Sequence, residues 1–172
     1  RKILLRGAVS YGQVYYNDRE NIIVGKGFIK AYLLEQEAIY PRVIIDPSII
    51  KQISSDKQAF LKQINKSLDY TFEDRLIYTK SDFSEISDDA IFIDYANKSI
   101  CKDELNGNLK KAYELIIDNL YSEQKLYTKY IWLRDYFLET LRHTEQQLNL
   151  ISSTTTKQKK DIKTWIEKFE RL

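Results

Sequence analysis

Lys26 and Lys30 are the residues whose type and spacing best suit chemistry in this chain. They stand one helical turn apart, beside Gly25 and Gly27, where an apolar run with helical spacing begins. A helix start offers backbone N–H groups and the positive end of the helix dipole to an anion, and a lysine adds a mobile point charge. The chemistry that fits is phosphate binding. A lone Gly-x-Gly is a common string, however, and the same four residues also read as a tight turn followed by two solvated lysines.

Other reactive side chains are less well placed. Asp18 and Glu20 fall in a turn and Asp82 to Asp89 in a polar loop, none with metal-ligand spacing to a histidine. His143 follows Arg142 on a helix without a cysteine or triad carboxylate nearby, so it reads as a surface or interface histidine. Cys101, the single cysteine, forms no intrachain disulfide or cysteine cluster and reads as a buried structural thiol. Tyr127, Tyr130, Trp132 and Tyr136 lie among Lys125, Lys129 and Arg134, a pattern that could stack on bases; aromatic core at helical spacing is the stronger reading.

The elements that must position the lysines follow from hydrophobic period. Ser10 to Tyr16 and Asn21 to Val24 are β-rich and meet at Asn17-Asp18-Arg19-Glu20, where Asn and Asp tolerate left-handed φ, so they should pair as an antiparallel hairpin. Ile3 to Tyr16 is long for one strand, and Gly7 and Gly12 within it suggest a bulge or a close backbone approach. From Phe28 the period changes to that of a helix, with Phe28, Ala31, Tyr32, Leu34 and Ala38 on one face. Pro41 ends it, and Val43 to Ile45 should be a strand covered on both faces. Asp46 and Pro47 then supply the cap and first residue of a short helix carrying Ile49, Ile50 and Ile53. A second cap at Ser54-Ser55-Asp56 leads into a helix with Phe60, Leu61, Ile64 and Leu68, followed by strands at Tyr70 to Lys80 and Ala90 to Tyr95. Composition shifts at Asn106-Gly107-Asn108, and helical stripes follow: Leu109, Tyr113, Ile116, Ile117 and Leu120; then Leu126, Tyr130, Leu133, Phe137, Leu141 and Leu148; then, beyond a Ser/Thr break at Ser152 to Thr156, Ile162, Trp165, Ile166 and Phe169. The fold class is therefore α+β, a mixed sheet with helices packed on it and a C-terminal helical extension, with domains at 1–103 and 104–172.

The string Arg6-Gly7-x-x-Ser10-x-Gly12, hairpin, Gly25-x-Gly27, Ala31-Tyr32-x-Leu34-Glu35, Tyr40-Pro41-Arg42-Val43-Ile44 runs to Asp46 without a gap. It resembles the later part of class III nucleotide cyclase domains, and most of all the bacterial anti-phage Pycsar pyrimidine cyclases and their relatives. Lys129-Tyr130-Ile131-Trp132-Leu133 with Tyr136 resembles a signature in the helical tail of such proteins. The resemblance implies a ferredoxin-like, cyclase-like fold and conversion of a nucleoside triphosphate to a cyclic mononucleotide with Mg²⁺ or Mn²⁺. It also implies a head-to-tail homodimer with sites between subunits and a signal to a separate antiviral effector. Gly25, Lys26, Gly27 and Lys30 would then contact nucleotide phosphate. Two departures stand against this: the metal-holding aspartates of the family precede the stretch matched here, so a segment ahead of it would have to supply them, and the family's ribose-orienting Asn, transition-state Arg and base-reading Asp align with Ile29, Leu33 and Ile22. Such lost hydrogen bonds to charged groups are each worth ~1.5–3 kcal/mol. A catalytically silent nucleotide-binding or dimerising relative is the alternative, and a ligand-free helical adaptor a third.

Bulk properties are compatible with these readings. The 172 residues suit one domain or a small domain with an appendage, and 43% apolar with 13% aromatic content supports a folded core. A formal charge of +2 gives no strong field toward nucleic acid or an anionic membrane, so neither is expected as a partner. No run approaches the ~18 apolar residues of a membrane span and no signal peptide opens the chain, which with the lone cysteine suits a cytoplasmic protein. Met is absent and the chain opens on Arg1-Lys2-Ile3-Leu4-Leu5 as though already within a strand, which reads as a fragment or a sequence from which residues have been lost.

Overall fold

Val43, Ile44 and Ile45 carry no polar side chain to turn toward water, and they form an inner strand of a sheet in which Ile44 and Ile45 are buried and Val43 half-buried. The computed structural model describes residues 4–54, 56, 59–60, 63, 77–79, 90–101, 105–150 and 155–172. The architecture is α+β, with a mixed sheet, helices against it and a helical C-terminal part. The described residues fall into two compact units, one ending at Asp94 and one running from Tyr95 to Leu172.

The first unit contains strands β1 (Gly7–Val9), β2 (Tyr15–Asn17), β3 (Ile22–Val24), β4 (Val43–Ile45), β5 (Ile77–Thr79) and β6 (Ile91–Ile93), with helices α1 (Lys26–Glu37) and α2 (Pro47–Ile53). The main sheet has the order β1-β4-β6-β5. β1 runs parallel to β4, with Gly7 opposite Val43, while β6 is antiparallel to both β4 and β5. Ile44 and Ile45 are both buried, as a strand with two covered faces requires. Ile45, Phe60 and Ile91 form a core cluster on which Ile49 and Ile50 of α2 pack. Asp46 caps α2 as the sequence implies, its carboxylate accepting from the Ser48 N–H at 2.8 Å. Asp56 likewise accepts from the Ala59 N–H at 2.8 Å, so the second cap is also present. Leu61, Ile64 and Leu68 of the following helical face, residues 70–76 and the loop at 81–89 lie outside the described residues.

Two sequence expectations are corrected here. Ile3 to Tyr16 is not one strand: β1 and β2 belong to different sheets, and the chain between them folds over the start of α1. The left-handed residue of the hairpin is Asn21, φ 52°, and not the Asn17-Asp18 pair. Asn17 acts through its side chain instead, its carbonyl oxygen accepting from the N–H groups of Arg19 at 3.1 Å and Glu20 at 3.3 Å, an Asx arrangement that sets the turn.

The second unit is helical: α3 (Tyr95–Cys101), a π-helical turn at Leu105–Leu109 that contains the compositional shift, α4 (Lys110–Asn119), α5 (Gln124–Leu150) and α6 (Thr156–Glu170). Its core is aromatic. Trp132 stacks on Tyr136 with centroids 5.3 Å apart, Phe137 on Phe169 at 5.9 Å, and Tyr113 meets Phe169 edge-on at 5.4 Å. Tyr130, Trp132 and Tyr136 are buried, so three of the four aromatics that could have stacked on bases are core, and Tyr127 alone is exposed. The Tyr136 hydroxyl accepts from the Ala96 N–H at 3.0 Å, tying α3 to α5. Ile162, Trp165, Ile166 and Phe169 form the buried face of α6, and a capping box of Thr155 and Gln158 starts that helix.

Candidate functional site

α1 is built by opposition of its two faces. Gly27, Ala31, Leu34 and Ala38 turn inward as buried or half-buried positions, spaced as one side of a helix requires. Phe28 and Tyr32, expected on that face, are 40% and 57% exposed. The helix packs against β1, and its buried or half-buried positions are mostly small residues rather than the rings at 28 and 32. A different stripe faces outward: Lys26, Ile29, Lys30 and Leu33, at the same three-and-four spacing, are all exposed.

The glycines that precede and open this helix are explained by the chain's own backbone. Gly25 has φ 136°, and a Cβ there would lie 2.3 Å from the Gln13 carbonyl oxygen. A Cβ on Gly12 would lie 2.7 Å from the Gly27 nitrogen, and one on Gly27 would lie 2.8 Å from the Gly12 oxygen. The segment after β1 thus crosses the first turn of α1 at backbone contact, where only glycine fits. The crossing is pinned by hydrogen bonds: the Gly27 N–H donates to Gln13 O at 3.1 Å, and the Ser10 hydroxyl donates to Gly27 O at 2.5 Å. Arg6 pairs with Glu35 on the same helix.

Of the four residues expected to hold phosphate, Gly25 and Gly27 are therefore occupied in fixing the corner, and the Gly27 N–H is given to Gln13. Lys26 and Lys30 lie exposed one turn apart on the outward stripe. Like charges at this spacing oppose helix formation by ~0.2–0.5 kcal/mol, a cost that a bound dianion would relieve. What the arrangement offers is an exposed ammonium pair on a helix, beside a backbone corner with no room for a side chain at Gly12, Gly25 or Gly27.

The three positions aligned with polar cyclase residues are also exposed: Ile22 40%, Ile29 56% and Leu33 56%. Ile29 and Leu33 share the outward stripe with the lysines, so the surface that would meet a ribose is apolar. Asp18 and Glu20, the carboxylates of the turn, are engaged within the hairpin. Asp18 accepts from the Tyr16 hydroxyl at 2.8 Å, a bond that raises the Tyr16 pKa above its ordinary value, with a smaller contribution from desolvation. Glu20 accepts from the Asn17 amide at 3.1 Å. Among the described residues no group of three His, Cys, Asp or Glu side chains could hold a metal ion.

Sequence reasoning missed Arg42. It stands in the Tyr-Pro-Arg string, which reads as the entry to a strand, yet its side chain is 1% exposed. Its guanidinium lies 5.3 Å from the Tyr40 ring centroid and 5.6 Å from that of Phe92, held between two π faces. The flanking Tyr40 is the one local signal for such a contact; Phe92 arrives from a strand remote in sequence. His143 is half-buried on α5, and the side chain of Cys101 lies outside what is described. No helix among the described residues is long and apolar enough to cross a membrane. No protein-family model, curated protein or solved structure matches this chain.

Proposed function

We propose that this chain is a nucleotide cyclase-like protein that makes a cyclic mononucleotide with a pyrimidine base from a nucleoside triphosphate, acting as a cytoplasmic homodimer in antiviral signalling. The observation that carries the reading is the outward pair Lys26 and Lys30, set on a helix directly after a glycine corner that the backbone of residues 12–14 locks in place. Two lysines so held bind and orient a triphosphate as point charges, without help from the Gly27 N–H. As a phosphorus-oxygen lyase the protein needs divalent metal, and the carboxylates for it have to come from beyond the stretch matched to the family.

A catalytically silent relative that binds nucleotide or only dimerises is the second reading. The exposed apolar side chains of Ile22, Ile29 and Leu33 favour it, because a cyclase cleft places polar groups there. Incubation with each of the four nucleoside triphosphates and Mn²⁺, followed by mass spectrometry, separates the two: a cyclic product supports the enzyme, and its absence with retained calorimetric binding supports the silent form. Within either nucleotide-binding reading, Lys26→Ala with Lys30→Ala should weaken triphosphate binding by roughly tenfold or more. Unchanged affinity would remove the lysines from the site.

A further inference from the structure

α6 carries cations where a helix does not favour them. Five are exposed from its first turn to the residue after it, Lys157, Lys160, Lys163, Lys168 and Arg171, against two exposed carboxylates, Glu167 and Glu170. Glu170 is taken by Arg142 of α5 at 2.7 Å, and Lys159 and Asp161, of opposite sign, are both half-buried, which leaves Glu167 to offset the five. The first turn holds no acidic residue although the helix dipole would favour one there. Lys157, Lys160 and Lys163 also follow one another at three-residue spacing, where like charges are neighbours and oppose the helix. The fold does not answer these charges. Lys110 pairs with Glu114 at 3.9 Å and Arg134 with Asp135 at 2.7 Å in the same unit, whereas none of the five cations of α6 pairs with a described carboxylate.

We propose that this outward face of α6 binds the phosphate backbone of a nucleic-acid duplex without reading its sequence. The formal charge of +2 for the whole chain hides the face, because the balance is reached elsewhere. From Lys157 to Arg171 the helix rises about 21 Å, the length over which one strand of a duplex sets about six phosphates. Five cations on long, mobile stems suit that row of charge. The buried side of the helix decides against other partners. Ile162, Trp165, Ile166 and Phe169 are all packed inside, so α6 has no apolar face left to enter a membrane, and interfacial helices bind by burying one. Trp165 and Phe169 are likewise out of reach of bases, and no other aromatic stands on α6, which removes the stacking on which single-strand binding rests. The Lys168 ammonium lies over the Trp165 ring, 4.2 Å from its centroid, which orders one of the five charges at the surface. This face belongs to the helical unit and depends neither on Lys26 and Lys30 nor on nucleotide chemistry there.

The test titrates the full chain into a fluorescein-labelled DNA duplex of mixed sequence, about 30 base pairs long, with anisotropy read between about 50 and 200 mM salt. Binding should weaken as salt rises with a log–log slope of about −4.5, roughly 0.9 for each of five neutralised phosphates. Lys157→Gln with Lys160→Gln and Lys163→Gln should lower affinity roughly tenfold or more and bring the slope to about −2, with unchanged circular dichroism. Lys110→Gln with Lys111→Gln and Lys125→Gln removes the same charge from exposed lysines outside the face and should leave affinity within about twofold. No anisotropy change at the lowest salt would overturn the assignment, and so would equal losses in the two triple variants, which would trace binding to net charge. The wild-type slope needs no variant, and a value near zero would refute a phosphate contact by itself. Vesicles of phosphatidylcholine with about a third phosphatidylserine complete the test: binding to them that the α6 variant abolishes, without binding to the duplex, would make the face a membrane contact instead.

Discussion

Gly12, Gly25 and Gly27 show how much of the candidate site one missing methyl group decides. All three were visible in the sequence, and a close backbone approach at Gly12 was one of its two readings; which segment it approaches was not, because the contact joins residues on either side of a hairpin. Gly25→Ala carries both a left-handed φ of 136° and a Cβ 2.3 Å from the Gln13 oxygen, so it should destabilise the first unit by about 2 kcal/mol or more. Urea denaturation checks this. Gly12→Ala and Gly27→Ala press on the same contact and should be non-additive when combined. Arg42 marks the opposite limit at this scale: its neighbour Tyr40 is the one local sign of its ring contacts, and the Phe92 that completes them comes from another strand.

At the scale of elements, capping chemistry was the most legible feature. Asp46 and Asp56 accept from the N–H groups of Ser48 and Ala59 as expected, while Thr155, legible only as part of a polar break, caps α6. Thr155→Ala removes the hydroxyl that accepts from the Gln158 N–H, leaving the backbone N–H of residue 155 to Gln158 Oε1, and should cost about 1 kcal/mol, read as a lower denaturant midpoint. The buried stripe of α6 was equally clear, because Ile162, Trp165, Ile166 and Phe169 share one face and nothing competes with them. In α1 the period was right and the buried face was not. Apolar residues surround that helix, so periodicity alone could not decide between Phe28 with Tyr32 and the small residues that β1 admits.

For the molecule as a whole, the α+β class followed from the alternation of periods two and three-to-four, whereas the split of the first strand into β1 and β2, the helix α3 and the pairing order did not, because β1-β4-β6-β5 depends on contacts distant in sequence. Alkaline stability reports on the aromatic core of the helical unit. Tyr130 is 8% exposed, and burial pushes its hydroxyl above the ordinary pKa of 10.0. The folded state therefore holds the proton more tightly than the unfolded one. Stability is undiminished below the ordinary value and falls as pH rises from there through the raised value. Denaturation midpoints measured on either side of that window should show the fall, and Tyr130→Phe should lessen it. Asp46 has a wider effect than starting a helix. Its N–H donates to Val9 O at 2.8 Å, its carbonyl accepts from Ile49, and its carboxylate accepts from Ser48. The last rung between β1 and β4 and the first turn of α2 thus meet on a single residue, so a slip of β1 by one position would take away the N–H partner of the residue that begins the helix.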